Sequence, residues 1–385
     1  MDMSLSKTAN SSGAPPWEQF FKDLADSVVL TREVSVALPC CGVAASRRIF
    51  ELMGIKYKAC CIYDLDDRYD ALLAHCFGRR DLHLGPTEGD ILRVPVTSLT
   101  MPVDILLAGP PCPPWSGLGK RQGEGDVRAA VFDRVVKWVE HLAHHNGLSV
   151  VILENVVGCR SYMQKIQKKL KRSCAMLTWD MHTARAEDYS LPQSRVRLFL
   201  RGLRTVYVPR HGLPAPLSPF GAVPLKSLLI KNLPCTPKED LTRHLWYNVR
   251  LGDVKNHCRA TAGEIGMDAV VVFPVDRCAN RVFPQVYSVN KAPTLTTKNA
   301  GLFVLSVGDY GKDDDRREFF RLLRPEERFL LQGLSATDLK FVPPNAAIKA
   351  AGNAYPSAVL GAMMAPLLVL LGDHSAARKR KADDQ

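Results

Sequence analysis

One cysteine, Cys112, sits in Gly109-Pro110-Pro111-Cys112-Pro113-Pro114-Trp115-Ser116, directly after the apolar run Val103-Asp104-Ile105-Leu106-Leu107-Ala108. The run has the length and composition of a buried strand. Each proline fixes its own φ and pushes the residue before it toward an extended shape, so the loop presents one thiol in one place. A placed thiolate is a nucleophile, but an ordinary thiol, with a pKa of about 8.5, must be helped to ionise at neutral pH. In isolation such a cysteine is a small buried hydrophobe. Three polar stretches further along change that reading: Leu153-Glu154-Asn155-Val156, Gln193-Ser194-Arg195-Val196-Arg197 and Gly352-Asn353-Ala354-Tyr355-Pro356. Together they add a carboxyl group, two guanidiniums and carboxamides to the thiol, a set able to drive nucleophilic addition and control the charge it creates.

The elements that must position these residues alternate. Strands are expected at 34–38, 59–63, 103–107, 148–153, 175–182 and 196–201, with helices at 43–53, 66–77, 126–143 and 161–170 between them. That pattern predicts an α/β fold, a doubly wound, mostly parallel, Rossmann-like sheet. Ligands of such sheets bind beyond the carboxyl ends of strands, where Asp64, Cys112 and Glu154 all fall. Trp17-Glu18-Gln19-Phe20-Phe21 reads as a short helix lying on the domain. After Leu203 the texture turns to prolines and short apolar pieces, and a last helix is expected over Ser357 to Leu371. The expected organisation is an N-terminal extension (1–30), the first part of a catalytic domain (31–204), a small inserted domain (205–288), the closing part of the catalytic domain (289–372) and a basic tail (373–385).

The chain has 385 residues, a net charge of +12 and a pI near 9.2, which favours a polyanionic partner without choosing DNA over RNA. Its eleven cysteines include the pairs Cys40-Cys41 and Cys60-Cys61 but no C-x-x-C, so free thiols in a reducing, intracellular compartment are expected, and no structural metal. The apolar stretch Ala358 to Leu371 carries Gly361 and Pro366 and is shorter than a membrane span. Gly117-Leu118-Gly119-Lys120 lacks the spacing and the Ser/Thr of a nucleotide-phosphate loop. Arg378-Lys379-Arg380-Lys381 reads as a solvated charged end, or as a nuclear-import signal in a eukaryotic host.

The order of the cysteine loop, Glu154-Asn155-Val156 and Gln193-x-Arg195-x-Arg197, followed by 321–333 and 352–356, resembles the cytosine-C5 methyltransferases from about Val34 to Leu371. The resemblance implies transfer of a methyl group from S-adenosylmethionine to carbon 5 of a cytosine flipped out of duplex DNA, by a monomer, with 205–288 as target-recognition domain. Cys112 is then the nucleophile at carbon 6 and Glu154 the acid at N3, its carboxyl pKa raised by desolvation at the end of an apolar strand. Asn155 holds the loop, Arg197 contacts the cytosine carbonyl, and Arg195, expected to point the same way from one strand, orients the site. For the cofactor, the resemblance assigns Cys40, Gly42 and Val43 to the first turn and Asp64 to the ribose hydroxyls. Leu65 and Ile91 enclose the base, Asp90 lies at the adenine turn, and Pro111, Val131, Asn353 and Ala354 complete the pocket.

Two departures accompany the resemblance. Where the family reads acidic, aliphatic, Phe, small, Gly, aliphatic, Gly, Gly, this chain has Leu38-Pro39-Cys40-Cys41-Gly42-Val43-Ala44-Ala45. Cys40 replaces the aromatic that covers adenine, and alanines replace glycines that can adopt φ > 0. Pro113-Pro114-Trp115 stands for a common Gln-Gly-Phe. The alternatives are a catalytically silent nucleic-acid-binding homologue, which the altered first turn favours, and a tRNA cytosine-C5 methyltransferase. The latter's Cys-Phe-Thr is missing, Cys235 being followed by Thr236.

Overall fold

The computed structural model describes residues 15–383 apart from 29, 31, 117–121, 232, 235, 237–268, 275–287, 298–300 and 310–318, with side chains as far as 372. The first half comprises α1 (Pro16–Leu24), β1 (Val34–Pro39), α2 (Ala45–Leu52), β2 (Tyr57–Asp64), α3 (Asp70–Phe77), β3 (Leu82–Leu84), α4 (Gly85–Glu88), β4 (Ile105–Ala108), α5 (Ala129–His145) and β5 (Val150–Val156). Then come α6 (Arg160–Ser173), β6 (Leu177–Arg185), β7 (Gln193–Ser194), β8 (Val196–Arg204), β9 (Val270–Pro274), β10 (Ser288–Val289), β11 (Ala292–Pro293), β12 (Leu302–Ser306) and β13 (Phe320–Leu322). The chain closes with α7 (Pro325–Leu330), α8 (Pro344–Asn353) and α9 (Ser357–Asp383).

Seven strands form the main sheet in the order β3-β2-β1-β4-β5-β8-β6. It is parallel from β3 to β5, and β8 runs antiparallel to both its neighbours. Side chains alternate across it as the pleat requires. Ile105, Leu107, Val150 and Ile152 face α1, α2, α3 and α9, whereas Leu106, Ala108, Val151 and Leu153 face α5 and α6. Both faces are therefore covered, and functional side chains are left to the strand ends. A bulge marks the β1–β2 pair: Ala37 opposes Cys60 and Leu38 opposes Ile62, so Cys61 is the extra residue, at φ 52°.

Two features differ from expectation. α1 is part of the core rather than a cover on it, because Trp17 and Phe21 are fully buried. α9 continues to Asp383, so the stretch expected as a tail is helical in its backbone; the side chains Arg378 to Lys381 lie outside the described residues, as do Gly117 to Lys120. As the expected helix over Ser357 to Leu371 requires, Pro366 lies within α9. It lacks an N–H for the Ala362 carbonyl, which accepts a hydrogen bond from Leu217 N at 3.0 Å instead. Among the described residues no single helix is long and apolar enough to cross a membrane. A second sheet, β10-β9-β12-β13, draws strands from both sides of residue 288.

Candidate active site

β4 and β5 are parallel neighbours with Ala108 opposite Leu153, so the loop carrying Cys112 and the end carrying Glu154 leave the sheet side by side. The Cys112 loop closes a tight turn, its carbonyl accepting from Trp115 N and Ser116 N at 3.0 Å each. Asn155 is buried and its Nδ2 donates to Pro110 O at 3.1 Å, which ties the two loops together. On β8, Arg197 lies opposite Val156 and diagonal to Glu154, and its Nε is 2.9 Å from Glu154 Oε1, both side chains being about nine-tenths buried. The contact pairs charges without hydrogen-bond geometry, since Glu154 Oε1 receives no donor. Sequence reasoning anticipated the burial of Glu154 but not its cationic neighbour.

Arg195 does not share a strand with Arg197. It occupies the break between β7 and β8, because β7 pairs with β11 rather than with the main sheet. Fully enclosed, its guanidinium donates to Leu295 O at 2.9 Å, Ala354 O at 2.6 Å and Gly352 O at 3.3 Å. Burial and the neighbouring Arg197 pull its pKa down. It thereby stitches two late segments of the chain to the edge that carries Glu154 and Arg197. Gln193 and Gln332 extend the seam: Gln193 Nε2 donates to Gln332 Oε1 at 3.1 Å, and Gln332 Nε2 to Ala351 O at 2.7 Å.

The Cys112 thiol is held above its ordinary pKa, chiefly by burial, with Glu154 adding to the effect and Arg197 and Arg195 opposing it. A raised thiol pKa favours the neutral form, so thiolate appears only as pH climbs past the raised value. Alkylation of Cys112 by iodoacetamide, followed by peptide mass spectrometry, should be slow at neutral pH and rise only above about pH 8.5. Arg197→Ala removes the main opposing charge and should move that rise to still higher pH; a shift to lower pH would contradict the electrostatics.

An aromatic clamp that sequence reasoning missed fixes the loop from behind. Trp115 stacks on Tyr162 of α6 (centroids 4.9 Å apart, 23° between planes) and meets Phe132 of α5 edge-on, while Tyr162 Oη donates to Asp133 Oδ1 at 2.6 Å. A Cβ on Gly158 would lie 2.3 Å from Trp115 O, so the turn after Glu154 can close on this loop only with glycine there.

The expected cofactor residues fall into two groups. At the ends of β1 and β2, Gly42 N donates to Asp64 Oδ2 at 2.8 Å and Asp66 N to Asp64 Oδ1 at 2.9 Å. Burial pushes the Asp64 carboxyl above its ordinary pKa, against those two amides. Burial, Asp64 and Asp90 likewise raise the Cys40 thiol. A Cβ on Gly89 would stand 2.0 Å from Asp64 O, which explains a glycine beside Asp90. Leu65 projects outward, 53 % exposed, whereas Ile91, Val43 and Val131 are packed into the core; the exposed aliphatic side chain near Val131 is Val127, at 86 %. Pro111 abuts Cys112, and Asn353 and Ala354 end α8, whose Lys349 reaches Asp66 at 2.8 Å.

The first turn corrects an expectation. Ala44 was expected to forbid the left-handed backbone that glycine allows, yet Cys40, Gly42 and Ala44 all adopt it, at φ 58°, 55° and 54°. The turn keeps its path and bears a cost on the order of 1 kcal/mol at each non-glycine position. α2 then starts without a side-chain cap, leaving first-turn amides for an anionic group. An uncapped helix start, a strand-end carboxylate with spare lone pairs and an exposed leucine fit the carboxylate, ribose and base of S-adenosylmethionine. Among the described residues no group of three or more His, Cys, Asp or Glu is placed to hold a metal.

Type II methyltransferase M.DsaV of Dactylococcopsis salina is 30 % identical over 170 residues, 42 % of this chain and 44 % of that protein, so the chain spans less than half the length of this curated relative. A variant of Spodoptera frugiperda DNMT2 shares the fold at a TM-score of 0.57 and 16 % identity, over 87 % of this chain and 99 % of that one. A putative DNA modification methyltransferase encoded within an E. coli prophage does so at 0.55 and 17 %, over 88 % and 99 %. The profile of the C-5 cytosine-specific DNA methylases matches residues 40–367, from the left-handed Cys40 turn through the Cys112 loop to the middle of α9, and the chain belongs to that family.

Proposed function

We propose that the chain is a DNA cytosine-C5 methyltransferase that forms a transient bond between Cys112 Sγ and carbon 6 of a cytosine turned out of its duplex. The observation that carries the reading is the meeting of Cys112, Glu154 and Arg197 at the carboxyl ends of β4 and β5, in a chain of this family. The Cys112 thiol gives its proton to the Glu154 carboxylate, and the thiolate so formed attacks carbon 6 and pushes an electron pair from the 5,6 double bond toward N3. Glu154, buried at the ring edge, delivers a proton to N3 and leaves carbon 5 nucleophilic. Arg197 offsets the charge of Glu154 and is free to turn to the ring carbonyl. Asn155 holds the thiol loop by Pro110 O, and Arg195 holds the segments at 295 and 352–354. Bound S-adenosylmethionine supplies the methyl group to carbon 5. Loss of the carbon 5 proton to a base, departure of the Cys112 thiolate and return of the N3 proton to Glu154 restore the ring.

Cys40, Gly42, Asp64, Leu65 and Asp90 are the residues of this chain that would hold that cofactor. We place target recognition in 205–288, of which 237–268 and 275–287 lie outside the described residues. Its root is anchored: Arg321 and Glu327, both buried, form a two-pronged ion pair at 2.6 and 2.9 Å, Glu327 Oε1 accepts from Ile230 N, and Arg321 Nη2 donates to Ile230 O. Flipping the base costs a few kcal/mol, which contacts from the insert offset. The test is to offer the purified protein S-adenosylmethionine labelled in its methyl group, with duplex DNA and with tRNA, and to map the label by base. Label on carbon 5 of cytosine in DNA is expected. Label on tRNA alone moves the substrate to RNA, and no label with no cofactor binding leaves a silent homologue.

A further inference from the structure

Six of the fourteen residues of α6 are basic, Arg160, Lys165, Lys168, Lys169, Lys171 and Arg172, and none is acidic. Tyr162, Met163, Ile166 and Leu170 bury one side of the helix, so at 3.6 residues per turn Lys168, Lys171 and Arg172 emerge on the other, and all three are exposed. Lys165 and Lys169 are engaged with Glu124 and Glu140, but no described carboxylate pairs with Lys168, Lys171 or Arg172. The last turn of a helix favours cations through its dipole, which accounts for Lys171 and Arg172 but not for Lys168 in mid-helix. Nor is the row remote from the chemistry. Arg160 opens α6 just past the Glu154 loop and donates to Thr183 Oγ1 at 2.5 Å, so the row starts at the catalytic edge of the sheet. From Arg160 to Arg172 it runs about 18 Å down the flank at 1.5 Å per residue.

Cations kept unpaired along one line repel one another, and a line of phosphates relieves that repulsion while releasing counterions. We propose that the outer face of α6 is a second nucleic-acid surface, which holds the sugar–phosphate backbone of duplex DNA flanking the target base. The proposal rests on the DNA reading above and adds to it a contact outside both the catalytic pocket and the recognition insert. Duplex DNA rises about 3.4 Å per base pair, so the row lies alongside five or more pairs that a short substrate does not supply.

The experiment compares the unaltered chain with a triple variant, Lys168→Gln with Lys171→Gln and Arg172→Gln, by fluorescence anisotropy on cytosine-containing duplexes of about 12 and 30 base pairs across a salt series. A charge-matched control carries Lys22→Gln, Lys56→Gln and Lys58→Gln, exposed positions on α1 and at the start of β2. Each phosphate contact contributes about 0.9 to the slope of log affinity against log salt. On the long duplex the α6 variant should lose about 2 to 3 from that slope and bind about ten- to a hundredfold more weakly at low salt, while on the short duplex it should match the unaltered chain. An unchanged slope on the long duplex overturns the proposal, as does an equal loss on both lengths or in the control, which would make the effect one of net charge. Binding is read without methyl transfer, so an inactive protein leaves the test intact; failure of the unaltered chain to bind any duplex would overturn the DNA reading and this surface with it.

Discussion

Glu154→Gln should bind duplex DNA within about twofold of the unaltered chain and lose methyl transfer by about 10²- to 10⁴-fold, the usual worth of general acid help. The amide keeps the shape of the carboxyl group, but it has no proton to exchange with N3. It also removes the negative charge 2.9 Å from Arg197 Nε, so the arginine loses its only close counter-ion in the described site. The two effects separate in the measurement. Single-turnover rate at saturating DNA and cofactor reports the chemistry, and equilibrium binding reports the arginine. A rate within threefold of the unaltered chain would remove Glu154 from the mechanism.

A second large effect is expected far from the thiol. Arg201→Met should destabilise the fold by about 3–5 kcal/mol, the range for breaking a buried ion pair by deleting one partner. Arg201 is wholly buried in mid-β8, where Nε donates to Asp180 Oδ1 at 2.9 Å, Nη2 to Asp180 Oδ2 at 2.5 Å and Pro214 O at 2.7 Å, and Nη1 to Met363 O at 3.1 Å. It thus joins the edge strand β6, the start of the insert and α9, and methionine satisfies none of those acceptors. The loss should carry a pH signature. Burial pushes Asp180 up, but hydrogen bonds from His182 and Arg201 outweigh it and hold the carboxyl below the usual range. A lowered folded pKa contributes stability that is complete above the unfolded value of about 4 and fades as pH falls through the folded one. Urea melts should show the largest gap between variant and unaltered chain near neutral pH, narrowing below about pH 4; a gap under 1 kcal/mol at neutral pH would contradict the role given to this residue.

The placement of Cys112 beside Glu154 was legible because each lies just after an apolar run. Cys112 and Glu154 each follow an apolar run that can only be a buried parallel strand, and parallel neighbours bring their carboxyl ends together. What was not legible depends on contacts across long stretches of chain. Arg195 meets Gly352 and Ala354 more than 150 positions away, and nothing in Gln-Ser-Arg-Val-Arg foretells that β7 leaves the main sheet to pair with β11. Trp115, Phe132 and Tyr162 come from a loop and two helices, each reading only as a core aromatic. The alanines of the first turn misled for a different reason: φ > 0 is costly for alanine rather than forbidden, and surrounding packing holds Ala44 there. Pro366 falls inside the helix expected over Ser357 to Leu371, and the fold supplies Leu217 N to the carbonyl it orphans.

The central claim is that Cys112 bonds to carbon 6 of cytosine, and trapping that bond tests it most directly. In duplex DNA carrying 5-fluorocytosine, fluorine cannot leave carbon 5 as a proton does, so the protein–DNA bond should persist once the methyl group has been transferred. Incubated with such DNA and S-adenosylmethionine, the protein should form a denaturation-resistant complex whose digestion places the modified nucleotide on the Cys112 peptide. Cys112→Ser should form none while melting at the same temperature. A complex mapping to another cysteine, or capture by the serine variant equal to that of the unaltered chain, would contradict the account.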